Sequence, residues 1–449
     1  MKQSQRETRT PSSPEHREMH VKLGLLTLAC AINLIGFSIV IPLLPAYLQQ
    51  GLHEFGAAAK NDPRINTYNG LLLSCYAFMQ FLFAPLWGRL SDRVGRKPIL
   101  LASLAGDFVF YAMFGLAQHS VEMQFAARLL AGIFSSGSLA VAQAYIADVT
   151  PPEHRAVGLG MIGAAFGIGF VIGPAIGGLL GQYNIGLPLY VASGLALVNA
   201  VYIFRYLPES RTPEMRAESV PLAAAAPIGR VAGMLHSLNG PLGFLFVLTF
   251  LITFAVASME GAFTPYIRQF YANDALATRY SGLSFTYIGV LMVLIQGGAI
   301  RPLRKRYSEA TLILAGIALM VVGFWIWASA HTVGLLLAGP VFAVSVGSAL
   351  NTPSLRALVS RLSSESVQGS TLGIAASFDS LARGIGPGFG GWLAGHHGLA
   401  SPYYFSGIIM TIALVWAIVQ APKFVHATAS TDVHSPLPAS SPETAAPTE

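Results

Sequence analysis

Long apolar runs separated by short polar breaks dominate the chain, near 22–48, 67–87, 98–117, 122–147, 156–181, 187–206, 241–270, 279–300, 309–330, 333–359, 367–395 and 402–421. Each has about the 20 residues a helix needs to cross a bilayer while satisfying its own backbone groups. The pattern predicts an all-α membrane protein of twelve transmembrane helices. The first run is too long, and too marked by Pro42 and Pro45, to be the apolar core of a cleaved signal, so it reads as a retained span.

The longest polar connection, 207–240, divides the runs into two six-helix bundles, 21–206 and 241–421, with a polar cytoplasmic segment at 1–20. The tail at 422–449, rich in Ala, Ser, Pro and Thr, reads as disordered. Only 11% of the residues are charged, against about 25% in an ordinary soluble protein. The net charge of +6 does not point to nucleic acid, because with the N-terminus in the cytoplasm 21 of the 27 Lys and Arg residues fall on the cytoplasmic side. That asymmetry predicts an N-in, C-in orientation. Cys30 and Cys75 lie inside apolar runs and read as small core residues. There is no phosphate-binding loop and no paired metal-ligand histidine, so neither enzyme, metal nor cofactor is expected.

The halves repeat. GPAIGG at 173–178 returns as GPGFGG at 386–391, an offset of 213, with Leu159, Gly160 and Leu180 matching Leu372, Gly373 and Leu393. At an offset of 210, Gly88 falls on Gly298 and Arg96 on Arg306, while Asp92 becomes Pro302 and Gly95 becomes Lys305. The second copy is therefore expected to have lost the charge chemistry of the first. Internal repeats in a polytopic chain suit two bundles that rock about a central site.

Three motifs sharpen this. GRLSDRVGRKPIL, from Gly88, sets Asp92, Arg93, Arg96 and Lys97 in the break after the second run. There Gly88 permits close helix approach, Gly95 a tight turn, and Asp92 is placed to pair or to meet a helix N-terminus. GFVIGPAIGGLLG spaces Gly169, Gly173 and Gly177 by four residues, which leaves a smooth groove for a neighbouring helix, with Gly178 beside it and Pro174 bending the span. IGFSIVIPLLP at 35–45 closes the set, with its prolines at the outer end of the first span.

These motifs resemble the major facilitator superfamily, and within it the twelve-span drug:proton antiporters that include tetracycline efflux pumps. The resemblance covers about 20–421. It implies that Asp92 engages the start of the eleventh span in the outward-open state, that Arg96 bonds Asp148 at the end of the fourth, and that the glycine motif belongs to export. RLLAGIFSSG, from Arg128, matches the family's fourth span only at Arg128 and Gly132. The chain departs from the tetracycline pumps at three acids: it has Asn33 in span one, Phe110 near the span-three position, three residues from Asp107, and Leu319 in span nine.

Charges inside spans are costly in lipid and default to functional hypotheses. Asp107, Arg128, Glu260, Asp379 and Arg383 are the candidates for proton coupling. Arg128, with no acid one turn away, is expected to face Asp107; Asp379 and Arg383, one turn apart, are placed to neutralise each other. Asn33, Phe37, Gln143, Phe250, Phe254, Glu260 and Asn351 are the candidates for lining a substrate chamber, since aromatic surface with a few polar groups suits amphipathic compounds. The expected function is export of such a compound in exchange for protons by a monomer with the bilayer around it and no nucleic-acid partner. The absence of any N-x-S/T sequon and the short loops point to a bacterial inner membrane. Two alternatives stand beside it: a proton-coupled carrier of one metabolite, and a non-transporting membrane sensor.

Overall fold

The computed structural model describes residues 14–53, 62–150, 155–213, 237–238, 242–271, 273–363 and 368–431, and among them every regular element is helical. The first half comprises α1 (Pro14–Ile39), α2 (Leu44–His53), α3 (Pro63–Val94), α4 (Arg96–Leu116), α5 (Val121–Val149), α6 (Arg155–Gly181) and α7 (Leu187–Tyr206). The second comprises α8 (Gly243–Arg268), α9 (Asp274–Leu294), α10 (Ile300–Arg306), α11 (Glu309–Ala328), α12 (Val333–Ala338), α13 (Pro340–Arg361), α14 (Gln368–His397) and α15 (Ser401–Thr431). Ten helical stretches among the described residues are long and apolar enough to cross a membrane. The segments expected at 333–359 and 367–395 are helical too, but they carry more polar residues.

Proline and glycine explain where the apolar runs break. A single 3₁₀ turn at Ile41–Leu43, containing Pro42, separates α1 from α2. Gly339 and Pro340 divide the tenth run into α12 and α13. Gly297 and Gly298 lie in a π-helical turn, Ile295–Ala299, between α9 and α10. Asp62 caps α3 by accepting the Arg64 amide at 2.8 Å, and the Arg64 guanidinium holds its carboxyl below the usual range. The last helix runs past the expected boundary at 421 to Thr431, so the start of the expected disordered tail is helical; 432–449 lie outside the described residues.

Lipid-facing surface is written on the outermost helices. Val198, Val201 and Phe204 of α7, and Ile412, Val415 and Val419 of α15, are more than half exposed. The opposite faces supply the core. One large apolar cluster spans both halves, joining Ile39, Leu43 and Tyr47 to Phe263, Phe324 and Trp327. It fills the end of the molecule where α3 begins, the far end, and continues along the second half to Leu245, Leu355 and Val359. At the other end, the basic end, the apolar clusters are separate: Leu26, Leu104 and Tyr145 in the first half, and Ile300, Leu312 and Leu350 in the second.

Two crossings join the halves, α3 against α14 and α6 against α9. Both rest on glycine. A Cβ at Gly70 would overlap the Pro387 carbonyl and lie 2.9 Å from the Gly391 Cα, and a Cβ at Gly282 would overlap the Pro174 carbonyl and lie 2.9 Å from the Gly178 Cα. The two crossings obey the internal repeat, since Gly178 and Gly391 are partners at the offset of 213. Hydrogen bonds close the same end: Asn69 Nδ2 donates to the Gly261 carbonyl at 2.6 Å, the Gly388 amide to Ser74 Oγ at 2.7 Å, and Thr286 Oγ1 to the Val171 carbonyl at 3.0 Å. Arg268 donates to Gln49 across the halves there as well. Toward the basic end, Gly88, Gly163, Gly297, Gly298 and Gly373 have open space beside them. The molecule is closed at the far end and parted at the basic end.

Gly70→Ala should therefore loosen the far-end seam without removing any side chain. Labelling of a cysteine introduced at Ala262, fully buried beside the Gly261 carbonyl that Asn69 bonds across the seam, by a membrane-impermeant maleimide is expected to rise several-fold; unchanged labelling would mean that the crossing does not hold this end shut.

Candidate functional site

The polar residues of the spans gather in three places. The first lies inside the first half. Asp107 of α4 is fully buried, and its Oδ2 accepts the Asn33 amide of α1 at 2.8 Å. Tyr76 of α3 stands beside it, donating its phenol to Ser135 at 2.7 Å and receiving Gln80 Nε2 at 3.1 Å, and stacks on Phe37 with ring centroids 5.1 Å apart. Arg128 of α5 does not reach Asp107. Its guanidinium lies 4.3 Å from the centre of the Tyr76 ring, and its Nε donates to the Leu72 carbonyl at 3.2 Å. The expected Arg128–Asp107 pair is thus replaced by a cation–π contact with Tyr76, a ring from a third helix that also faces Asp107.

The second place lies in the second half. Asp379 and Arg383 of α14 pair at 3.4 Å, and Thr253 of α8 donates to Asp379 at 2.7 Å. Arg383 sits deep among the helices, yet half of its side chain, 50%, is accessible, so it lines an internal cavity. Glu260 of α8 is half-buried, faces both members of the pair, and hydrogen-bonds to neither. Asp379 also feels Arg356 of α13.

The third place is the basic end. Gly95 has φ +113°, a region that L side chains avoid, and this lets α3 stop and α4 start one residue apart. Arg96 Nε bonds Asp148 at 2.8 Å and its Nη1 meets Asp92 at 2.9 Å; Arg211 reaches Asp92 at 2.8 Å. Arg93 is exposed. The acid that meets a helix N-terminus here is Glu209, whose oxygens accept the Arg96 and Lys97 amides at 2.8 and 3.1 Å, where the helix dipole favours negative charge. Glu209 and Arg211, beyond the last span of the first half, carry no motif that would have flagged them.

The expectation that the second half has lost its charge chemistry is corrected. Glu309, 8% exposed at the start of α11, is bonded by Arg304 at 3.2 Å and by Arg361, at the end of α13, at 3.1 Å. At the offset of 213, Arg96 corresponds to Glu309 and Asp148 to Arg361. The bridge is kept with its polarity reversed, and the register of 210 conceals it.

The glycine motif has two faces. Gly169, Gly173 and Gly177 fit against Leu34, Ser38 and the Ile39 carbonyl of α1, while Gly178 and the Pro174 carbonyl meet α9 of the other half. A Cβ at Gly88 would meet nothing, so no helix packs on that face in this conformation. Among the chamber candidates, Asn33 and Phe37 belong to the Asp107 cluster. Phe250 and Phe254 stack at 5.6 Å, and Phe254 packs on Phe389 and Phe405 within the second half. Gln143 is exposed. Asn351 does not face a chamber: it is fully buried, donates to the Met320 sulfur at 3.3 Å and lies over Gly316 of α11. A separate cleft of about 710 Å³ opens at the far end, lined by Gln49, Gln118, His119, Asn184 and Asp274. Among the described residues no His, Cys, Asp and Glu cluster has the makings of a metal site, and both cysteines are free thiols.

Two helical halves with apolar outer faces, polar groups turned inward and an opening at one end define an integral membrane transporter. A sequence profile of the Major Facilitator Superfamily matches residues 26–337 and again 299–440. The chain belongs to that superfamily. Tetracycline resistance protein, class C, of Escherichia coli is 33% identical over 369 residues, which cover 82% of this chain and 87% of that protein. Major facilitator superfamily domain-containing protein 10 of Bos taurus is 32% identical over 426 residues, covering 86% and 90%. The crystal structure of the human organic anion transporter MFSD10 (TETRAN) has the same fold, with a TM-score of 0.67 at 24% identity over 91% of this chain and 100% of that one.

The reversed bridge makes a direct prediction. Glu309→Arg alone sets three cations together and should lower thermal stability by about 1 kcal/mol or more. Adding Arg361→Glu should restore most of it. A double variant no better than the single one would show that Glu309 and Arg361 do not act as a pair.

Proposed function

We propose that the chain exports small amphipathic organic compounds in exchange for protons, by alternating access across a plasma membrane. Its two six-helix bundles supply twelve spans, and both termini lie in the cytoplasm. The observation that carries this reading is the Glu260 carboxyl, held half-buried beside the Asp379–Arg383 pair with no hydrogen bond to either member. Such a group, when ionised, binds either a cation or a proton, so the two ligands compete for one site. Identity to a tetracycline resistance protein over most of both chains supports export.

The basic end carries Arg93, Arg96, Lys97, Arg304, Lys305 and Arg306. The positive-inside rule assigns it to the cytoplasm, which makes the present conformation inward-open. Protons then enter from the far end when the glycine crossings part. Asp107, sealed in the first half with Asn33, is the second proton-coupling carboxyl, and the charge lattice around Asp92 and Arg96 steadies the first half at its cytoplasmic face. A second reading, transport of an organic anion, is favoured by the accessible Arg383 guanidinium.

Everted vesicles energised by a pH gradient separate these readings. Glu260→Gln should cut uptake of cationic compounds by about tenfold or more, equivalent to about 1.4 kcal/mol, and spare neutral ones. Binding of a cationic compound to the purified variant should no longer release protons. Cation transport and proton release at the wild-type level would remove Glu260 from the mechanism. Anion uptake that is abolished by Arg383→Gln would establish the second reading.

A further inference from the structure

Three buried polar atoms around Tyr76 make no well-formed hydrogen bond: Asp107 Oδ1, Arg128 Nη1 and the Tyr111 hydroxyl, the last with only the Tyr76 phenol nearby. One is an acceptor, one a cationic donor, and one can serve as either. A buried group left unsatisfied is costly, and a carboxylate and a guanidinium left so on either side of one ring are more so. The ring itself is firmly held, by the stack on Phe37 and by hydrogen bonds to Ser135 and Gln80.

The helix that carries the ring is also the one that closes the far end. On α3, Asn69, Gly70 and Ser74 touch the second half, and Tyr76 follows within a turn of Ser74. Parting the far-end seam removes those contacts from α3 and leaves its packing to its own bundle.

We propose that Tyr76 is an insulating residue, whose ring keeps Arg128 from Asp107 in this conformation and is withdrawn by the movement of α3 that opens the far end, letting the two charges meet. This deepens the reading of Asp107 as a proton-coupling carboxyl and rests on it. Ionisation of Asp107 is thereby tied to the state of the seam: with the ring in place the carboxyl is shielded from the cation, and with the ring withdrawn the guanidinium favours the carboxylate and displaces its proton. The groups that face Asp107 are Asn33 from α1, Tyr76 from α3, Ser135 from α5 and Tyr111 from its own helix. Arg128, of α5, faces Tyr76, Tyr111 and Cys75. Tyr76 acts through these groups and is a positioning residue.

The test is infrared titration of the carboxyl band that Asp107→Asn abolishes, on the full-length protein in lipid nanodiscs. Arg128→Gln alone should leave the titration midpoint in place, because the guanidinium is insulated. Tyr76→Ala, and Tyr76→Leu should the alanine variant fold poorly, should shift the ratio of ionised to protonated carboxyl by about tenfold or more toward the ionised form. Arg128→Gln added to either should reverse that shift, and Tyr76→Phe should behave as the wild type. The proposal is overturned if Arg128→Gln alone moves the midpoint, if Tyr76→Ala and Tyr76→Leu leave it unmoved, or if Arg128→Gln fails to reverse their shift. The readout needs no substrate. If the pattern holds while the binding of a transported compound releases the same number of protons from Asp107→Asn as from wild type, the coupling role of Asp107 fails and the insulating role of Tyr76 stands.

Discussion

The two halves of the molecule meet backbone to backbone. At both far-end crossings a carbonyl after a glycine, Pro174 or Pro387, sits where the facing helix has no Cβ, and everything else about the closed end depends on that fit. Dispersion between such surfaces is small per atom and vanishes over a short gap. The few hydrogen bonds that accompany it, Asn69 to Gly261 and Gly388 to Ser74, each contribute about 1 kcal/mol net. At the crossings such a seam is well defined when closed and has no side chains to repack, although the apolar cluster that joins the halves at this end must part with it. Helices fastened by interlocking side chains would have to repack before they could part.

The two halves handle buried charge differently, though one repeat produced both. The first half seals Asp107 away from solvent and satisfies one oxygen with an amide. The second half leaves Asp379 and Arg383 paired but accessible, with Glu260 beside them. Removing an ion from water costs several kcal/mol unless partners replace the solvent. The sealed carboxyl is therefore governed by its protein neighbours, and the accessible trio by whatever enters the cavity.

Most helices were legible because length and apolarity settle them, and the internal repeat pointed to matching glycine motifs in the two halves. The roles of those glycines needed the structure: Gly173 and Gly178 differ in sequence only by position, yet one packs within its half and the other between halves. Helix periodicity places a residue on a face but says nothing about a ring inserted from a third helix, so Arg128 and Asp107 looked like partners. Asn351 misled for a similar reason, since a thioether on α11 occupies its amide. The Glu309–Arg361 bridge escaped because a search for matching residue types cannot see a pair whose charges have changed places.

An accessible Arg383 means that water, and with it ions, reaches far into the second half from the parted end. Conducting solution at that depth lies near the potential of the compartment it comes from, so the voltage across the membrane drops mainly over the closed seam, which runs from Gly395 against Thr67 to Gly384 against Phe78 and from Gly181 against Thr278 to Gly167 against Val293. A unit charge carried through the full potential gains about 2.3 kcal/mol per 100 mV. Any charge that crosses the closed seam gains most of this there and not in the cavity, so the glycine crossings bear the electrical load of the membrane.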